Sequence, residues 1–548
     1  MKYLILFFLF IIPLLSFGQK KPKCSVGRAY EAKKLSLTGA SYKMVVSPDG
    51  KIAVKIYQDK EGLSIQYYDA LTMKLKKESN SPEKRTELNI IDIGHYDGKL
   101  MLIYQKSPTK YRDVTIACRE INTQTYTLGA EKMLIEKGGD LGFHLDFSFN
   151  DIVAASQNTY YVPSINSNST WLSRSQDNSK LLIYFRLPPE GKNDAYNYDV
   201  ISFYLFDEQL NQLAHEEVKM PYTEQQMDNH SFCVSSEGVP YLLARVRDDG
   251  TQHNYNSKAF SNTMVINYHF ELLRIDLSNH SIIKTRIEEK NKHLLKIKLL
   301  EDYDKNIICA ATYINTNDKF VAGDIDGMGI FRVNKKGIVS KAFYDLPIEL
   351  LTLYENPREA ANLVKKEKKD IAKLHNFHLS NVLVQKDNGV VFSGEETYIH
   401  SSQTTTWYHY NNIITVKIGG DNKLAWMKKL PKRQIASSMK NSFSFRHFQL
   451  NNKHYLLFLD HEDNKKKVSE KGIPAEIKNK RACDLRAFII DDATGLTQKI
   501  SLFNTHDIKG DLKILKLPVY HMNNLSDNQL IMQAEKAKKE EFLIRIDL

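Results

Sequence analysis

Cysteine is scarce in this chain: five residues in 548, at Cys24, Cys118, Cys233, Cys309 and Cys483. An odd, widely spaced set provides no disulfide framework of the kind that staples small secreted domains. No Cys-x-x-Cys occurs, which excludes a zinc ribbon and a thioredoxin-like redox site. Cys118, Cys233 and Cys309 lie inside apolar runs and read as buried thiols, while a bridge between Cys24 and Cys483 is left open. Catalytic motifs are missing too. There is no His-Glu-x-x-His, no Gly-x-Ser-x-Gly elbow and no glycine-rich phosphate loop following a strand. His375 and His378 are three residues apart, but the sequence identifies no third ligand for them. Asp324-Ile-Asp326-Gly-Met-Gly329 lacks the distal bidentate Glu of a calcium loop and reads as a turn leading into a strand. No metal and no cofactor is expected, and no catalytic residue is nominated.

Long apolar runs are absent beyond the first residues. Lys2 precedes the apolar stretch Tyr3 to Leu15, and Ser16 and Gly18 place small residues at the −3 and −1 positions of a signal-peptidase site. The stretch is shorter than the roughly 20 residues a membrane-spanning helix needs. Residues 1–18 therefore read as a cleaved signal peptide with Gln19 as the mature N-terminus. An exported protein is expected, periplasmic or secreted, with no transmembrane span after cleavage. Cys24 follows Lys20, Lys21 and Lys23 and lies too far on to be a lipidation site. The formal net charge is +11, concentrated at Lys365–Lys369, Lys465–Lys467 and Lys536–Lys539. Such runs first of all keep a face solvated, and secondarily attract acidic glycans or anionic headgroups. Export argues against nucleic acid as a partner.

Helical periodicity is nearly absent, and what takes its place is a repeat. Eight times, a tight turn on Asp, Asn, Glu or Gly launches a short apolar run with strand character. The turns fall at Ser47–Gly50 and near Asp97, Asp177, Glu237, Asp304, Asp387, Asn452 and Asp527. Each run leads through a loop to a second strand, then a short turn and a third. The fold class is all-β, a β-propeller of eight blades, with seven as the alternative, occupying residues 19–548 as one domain. The last unit has only three strands. The lone strand candidate Ala32 to Leu37 would complete it and close the ring. The one good helix is an insertion at about 349–375. Asn356-Pro357-Arg358-Glu359 supplies its cap, and Ala360, Val364, Ile371 and Leu374 lie near one face.

Loop lengths point to a working face. In a four-stranded blade the first-to-second and third-to-fourth links share one face of the disc. The second-to-third and blade-to-blade links share the other. Here the former are short and the latter long: Leu187–Asp199, Arg247–Met264, Ile314–Asp326, Tyr398–Asn412 and His461–Cys483. Long loops on a rigid scaffold are where binding residues are carried. Their aromatic clusters nominate Tyr196, Tyr198, His253, Tyr255, Trp407, Tyr408, His409 and Tyr410 as ligand-binding residues. The bland alternative is a hairpin extension in which Trp407 and His409 pack on neighbours. Asp248, Asp249, Asp324 and Asp326 lie on the same face as candidate acids, indistinguishable from solvated loop carboxylates.

Ser47-Pro-Asp-Gly-Lys-Ile-Ala-Val54 resembles the strand-turn-strand signature of Tol-associated and WD-type propeller repeats. The stretches Tyr410–Lys417 and Trp426–Gln434 are similar to exported propeller proteins of Gram-negative bacteria. The resemblance implies fold and compartment and transfers no catalytic residue. The sialidase Asp-box is absent. The expected function is a monomeric, non-enzymatic binding or scaffold propeller for a protein or glycan of the cell envelope. A polysaccharide-acting hydrolase or lyase with channel-mouth carboxylates or histidines is the alternative.

Overall fold

The strand Ile307–Asn315 shows how the chain packs. Its side chains alternate and both sides are apolar. Ile307, Cys309, Ala311 and Tyr313 enter one core layer, while Ile308 and Ala310 enter the next. A sheet that is apolar on both faces is stable only between two others. A computed structural model describes residues 23–548 apart from 28–29, 32–40, 59–61, 84–87, 107–113, 139–170, 188–193, 249–267, 316–322, 403, 438–442, 466–471, 478–482, 506–513, 517–521, 527 and 537–539. It places eight antiparallel sheets in a ring, an eight-bladed β-propeller. The alternative of seven blades is overturned. Among the described residues the apolar core divides into eight layers, one at each seam between neighbouring sheets. Successive innermost strands touch: Lys292–Glu301 meets Met227–Val234 on one side and Phe377–Val384 on the other.

Each innermost strand turns tightly into the second. In the first blade, Ser47 Oγ donates to Asp49 Oδ1 (2.6 Å) and accepts from Ile52 N (2.9 Å), with Gly50 at φ +71°. Ser175–Lys180 rebuilds this turn without the tetrapeptide. Ser175 Oγ donates to Asp177 Oδ1 (2.6 Å) and accepts from Lys180 N (3.0 Å). Asn178 takes the left-handed position at φ +60°, which Asn tolerates better than most residues.

The ring closes through the N-terminal region, as expected. Lys23–Val26 pairs antiparallel with Glu540–Asp547, Lys23 opposite Asp547 and Val26 opposite Ile544, and becomes the outermost strand of blade 8. Ala32 to Leu37 lies outside the described residues, as does the proposed signal peptide. The innermost strand of blade 8 is split into Ile514–Lys516 and Asn523–Ser526. No disulfide is present: Cys118, Cys233, Cys309 and Cys483 are buried thiols, and Cys24 packs on the layer that holds Cys483. Burial pushes the Cys24 thiol up to about 12 and Cys118 up to about 11, which keeps both protonated near neutrality.

The helical insertion links blades 5 and 6. The helix Pro357–Glu367 starts as its sequence demands, with Asn356 Oδ1 accepting from Glu359 N at 2.9 Å and Pro357 at its first position. It ends earlier than the apolar spacing implied. Asp370 adopts φ +54°, and Ile371 N donates back to Lys366 O at 3.1 Å, a Schellman-type stop. Val364 and Ile371 are consequently exposed, Leu363 carries the helix's packing, and Leu374 reaches the core from outside the helix. No helix among the described residues is long and apolar enough to cross a membrane.

Close packing makes one glycine sensitive. A Cβ on Gly394, in the second strand of blade 6, would sit 2.3 Å from Phe377 Cζ and 2.4 Å from the His378 carbonyl oxygen. Gly394→Ala is expected to lose about 1–3 kcal/mol in a denaturant titration, the usual penalty of overpacking. An unchanged midpoint would count against this seam.

Candidate functional site

Blade 6 departs from its neighbours on the face of the second-to-third links. Its second and third strands, Val390–Ser401 and Thr406–Ile418, run past the blade as a long hairpin. The stretch expected as a loop between Tyr398 and Asn412 is thus mostly β-structure. Gln434–Ala436 adds a further strand beside Tyr408–Tyr410, and Ile477 of blade 7 bridges to Gln434. Hairpin and helical insertion together enclose a cavity of about 370 Å³.

The cavity floor is a set of buried ion pairs. Lys429, fully buried, donates to Glu355 Oε1 (2.9 Å) and the Leu351 carbonyl (3.1 Å) of the insertion, and pairs with Glu396 of blade 6 (3.2 Å). Asn412 Nδ2 holds the second Glu396 oxygen at 2.8 Å. Burial pushes the Glu396 carboxyl above its ordinary value, against the pull of Lys429. Lys432 pairs with Glu395 at 2.6 Å, both side chains fully buried. Lys373 binds Asp326 through both carboxylate oxygens, at 3.0 and 2.8 Å. The bonds of Lys429 and Lys373 pin the insertion to blades 6 and 5. Glu359, Asn362 and Lys366 of the helix form one rim, and Arg433, Ile473 and Pro474 the other. Tyr354, Tyr398 and Asn411 complete the lining. The Asn411 side-chain oxygen is buried without a hydrogen-bond partner.

The nominated residues separate by the alternation of the hairpin. Tyr398 faces His409 and His400 faces Trp407 across the two strands, so these four share one side. The His409 ring stacks on Tyr398 at 4.1 Å and 9°. Trp407 remains 37% exposed beyond them. Tyr408 and Tyr410 point the other way and pack against the apolar layer between blades 7 and 8. Tyr196 and Tyr198 flank the second-to-third link of blade 3 and are exposed, with Lys219 Nζ 4.6 Å from the Tyr198 ring centre. His253 and Tyr255 lie outside the described residues. Sequence reading passed over Glu395, Glu396, Lys429 and Lys432. The acids stand in the middle of Val390–Ser401 and the lysines at and just beyond the end of Leu424–Leu430, and no local pattern pairs them.

The acids on this face are engaged rather than gathered. Asp324 Oδ1 lies 2.8 Å from His375 Nδ1, and Asp326 accepts from Lys373 and from Asn315 N (2.7 Å). Asp248 Oδ1 lies 2.6 Å from His269 Nδ1 in a smaller cavity of about 230 Å³ between blades 4 and 5, and Asp249 is not among the described residues. His375 and His378 diverge, the latter meeting Lys296 in the central channel. No group of three metal-binding side chains occurs among the described residues.

No protein-family profile matches the chain, and no curated protein does. Solved structures resembling it include polysaccharide lyase Uly1, with 10% identity, 84% of this chain and 90% of that one covered, and a TM-score of 0.35. The WD40 domain of SCAP from fission yeast has 8% identity, coverage of 96% and 98%, and a TM-score of 0.37. The Dos1 propeller has 8% identity, coverage of 95% and 94%, and a TM-score of 0.40. Similarity at this level carries nothing about activity. The chain is an eight-bladed β-propeller by its own ring of sheets, and the likeness of Ser47–Val54 to Tol-associated and WD-type repeats extends to fold alone.

Proposed function

We propose that this is an exported, non-enzymatic binding or scaffold propeller that receives a protein or glycan partner at the blade 6 face. The observation that carries this reading is the cavity between insertion and hairpin, continued outward by the side of the hairpin that bears Tyr398, His409 and Trp407. Its lining mixes amides, hydroxyls and charges with two tyrosines. Flat rings beside fixed hydrogen-bonding groups suit sugar rings and extended peptides. The orphan oxygen of Asn411 is a ready acceptor for a ligand O–H or N–H. Its floor is rigid, because buried ion pairs hold the insertion in place, so little ordering is needed on binding.

Testing begins with the full mature chain, immobilised and screened against defined envelope glycans and purified envelope proteins. Any ligand found is then titrated against variants. Trp407→Ala and Tyr398→Ala are expected to weaken binding at least about tenfold while leaving the melting temperature nearly unchanged, since neither side chain belongs to a core layer. Tyr408→Ala is expected to act on stability instead. Equal affinity in all three variants would remove this face from consideration.

The hydrolase or lyase alternative requires titratable groups that converge on a bound chain. Glu396 and His375 both line the cavity. Polysaccharide turnover abolished by Glu396→Gln would replace the binding reading with the enzymatic one.

A further inference from the structure

The blade 6 hairpin leaves one strand edge open beside the cavity. Residues 397–401 carry the second strand past the blade and pair one to one with the third, Thr397 opposite Tyr410 and Ser401 opposite Thr406. On their other side the innermost strand has already ended, its first residue Phe377 standing opposite Glu396. Thr397 N reaches one residue further and donates to the Asn376 carbonyl at 2.8 Å. Among the described residues no strand follows along that edge. Backbone groups alternate in direction along an antiparallel strand. The bond from Thr397 N therefore fixes which of them point outward: the N–H and C=O of Ile399 and of Ser401. The hairpin turn agrees, because Ser402 N, in the opposite phase, donates inward to the Thr405 carbonyl at 2.8 Å.

An open edge is normally blunted by charge, by proline or by a covering segment. This one reads Thr-Tyr-Ile-His-Ser, without lysine, acid or proline, and Ile399 is 47% exposed. The opposite edge of the same hairpin is covered, since Gln434–Ala436 adds to Tyr408, His409 and Tyr410 as a short strand. Beside the open edge stands a cationic helix. Tyr398 lines the same cavity as Glu359 and Lys366 of Pro357–Glu367. Lys365, Lys366, Lys368 and Lys369 follow closely on one another there. Among the described residues none of the four has a carboxylate within ion-pair distance, and Lys366 Nζ lies 3.4 Å from His375 Nε2. Glu355 and Glu396 of the lining are bound to Lys429, which leaves Glu359 as the rim's own acid.

We propose that this edge takes an acidic peptide segment of a partner protein as an added strand, bonded to Ile399 and Ser401 with its carboxylates toward the lysine run. The proposal rests on the blade 6 face as the binding face, and it names the class of partner and the mode of contact. An extended backbone offers N–H and C=O groups at the two-residue spacing of this edge, about 7 Å, which a sugar chain does not reproduce. Strand addition draws affinity from main-chain bonds and leaves selection to side chains. Here Tyr398 and His400 flank one side of the added strand, and Ile399 the other.

The experiment selects random displayed peptides of about eight residues, enough to span the edge, on the immobilised chain from residue 19. The enriched sequence is synthesised and titrated by calorimetry. Acidic, β-branched sequences are expected, with affinity falling as salt rises. Methylating alternate backbone nitrogens of the peptide should abolish binding in one phase and spare it in the other, a readout that needs no protein variant. Ile399→Pro removes an N–H that the hairpin's own ladder does not use, at an edge position where proline is tolerated. It is expected to weaken the peptide at least about tenfold and to leave the melting temperature nearly unchanged. His400→Pro, which removes an inward N–H, should lower the melting temperature instead. Lys366→Glu combined with Lys369→Glu should weaken the acidic peptide and flatten its salt dependence. The proposal is overturned if selection yields no binder, if both methylation phases act alike, or if folded Ile399→Pro binds as the parent does. A glycan whose binding depends on Trp407 but not on Ile399 would overturn it and leave the blade 6 face standing. A dimer that Ile399→Pro dissolves would seat a second copy on this edge and overturn the peptide.

Discussion

Lys432→Met is expected to destabilise the protein by about 3–5 kcal/mol at pH 7, the cost of leaving one member of a buried ion pair alone. Lys432 joins four pieces of chain. Its ammonium pairs with Glu395 of blade 6 at 2.6 Å and donates to the Tyr410 carbonyl (2.9 Å) and Gln434 Oε1 (3.1 Å). Gln434 in turn reaches the Leu459 carbonyl of blade 7 at 2.8 Å, and Ser444 binds Glu395. Methionine fills similar volume but leaves the Glu395 carboxylate in an apolar seam without its countercharge. A buried carboxylate without its countercharge costs stability only while it is ionised, and that cost falls away once acid protonates it. The deficit should therefore shrink as pH falls through the carboxylate range. Lys432→Met combined with Glu395→Leu should recover most of the loss, because apolar replacement of both partners is close to neutral. Denaturant midpoints at pH 7 and pH 4.5 measure both effects. A single variant as stable as the parent at pH 7, or one whose deficit grows in acid, refutes the account of this seam.

Removing residues 1–26 is expected to weaken the closure of the ring. The cut takes away Lys23–Val26, exposes the edge of residues 544–547, uncovers the layer on which Cys24 packs, and leaves Tyr30–Glu31 paired with Glu541 and Glu540. Three or four ladder hydrogen bonds at a net worth near 1 kcal/mol each put the loss at about 3–4 kcal/mol. An unpaired strand edge also invites pairing with another chain, so the truncated protein should elute as higher oligomers. The seam between blades 8 and 1 remains joined by the buried Lys55–Glu541 pair, by Arg545 Nη1 donating to the Leu71 carbonyl, and by an apolar layer that includes Met44, Tyr68 and Ile531. The expected product is therefore a weakened, sticky propeller rather than an unfolded chain. Size exclusion and thermal melts of the chain from residue 27 and the chain from residue 19 decide it. Identical melting and elution would show that the N-terminal strand does not close the ring. A signal cleavage after Gly18, as read from the sequence, leaves this strand in the mature protein.

The blade count was legible because it depends on short-range chemistry. Among the described residues, the turns from an innermost to a second strand fall where Gly, Asn or Asp could be seen beside an apolar run, as at Ser47–Gly50 and Asn388–Gly389. Turns of this kind are set by one or two residues that tolerate the left-handed region, and strands by local alternation. The same locality explains the cap at Asn356. It also explains the error at the helix's end, where apolar spacing ran on to Leu374 although the backbone had already turned at Asp370.

What lies between blades was not legible. Tyr408 and Tyr410 read like Trp407 in the sequence, yet the two groups face opposite ways, because the hairpin continues past the blade and Gln434–Ala436 covers one side of it. Lys429 and Lys432 read as ordinary surface lysines, and their acids lie more than thirty residues earlier in the chain. Repetition, turn chemistry and alternation act over a few residues and need no partner, so they stood in the chain as written. Which charges meet, which face water and which are left uncompensated depends on closing a ring of sheets, and no local pattern encodes that closure.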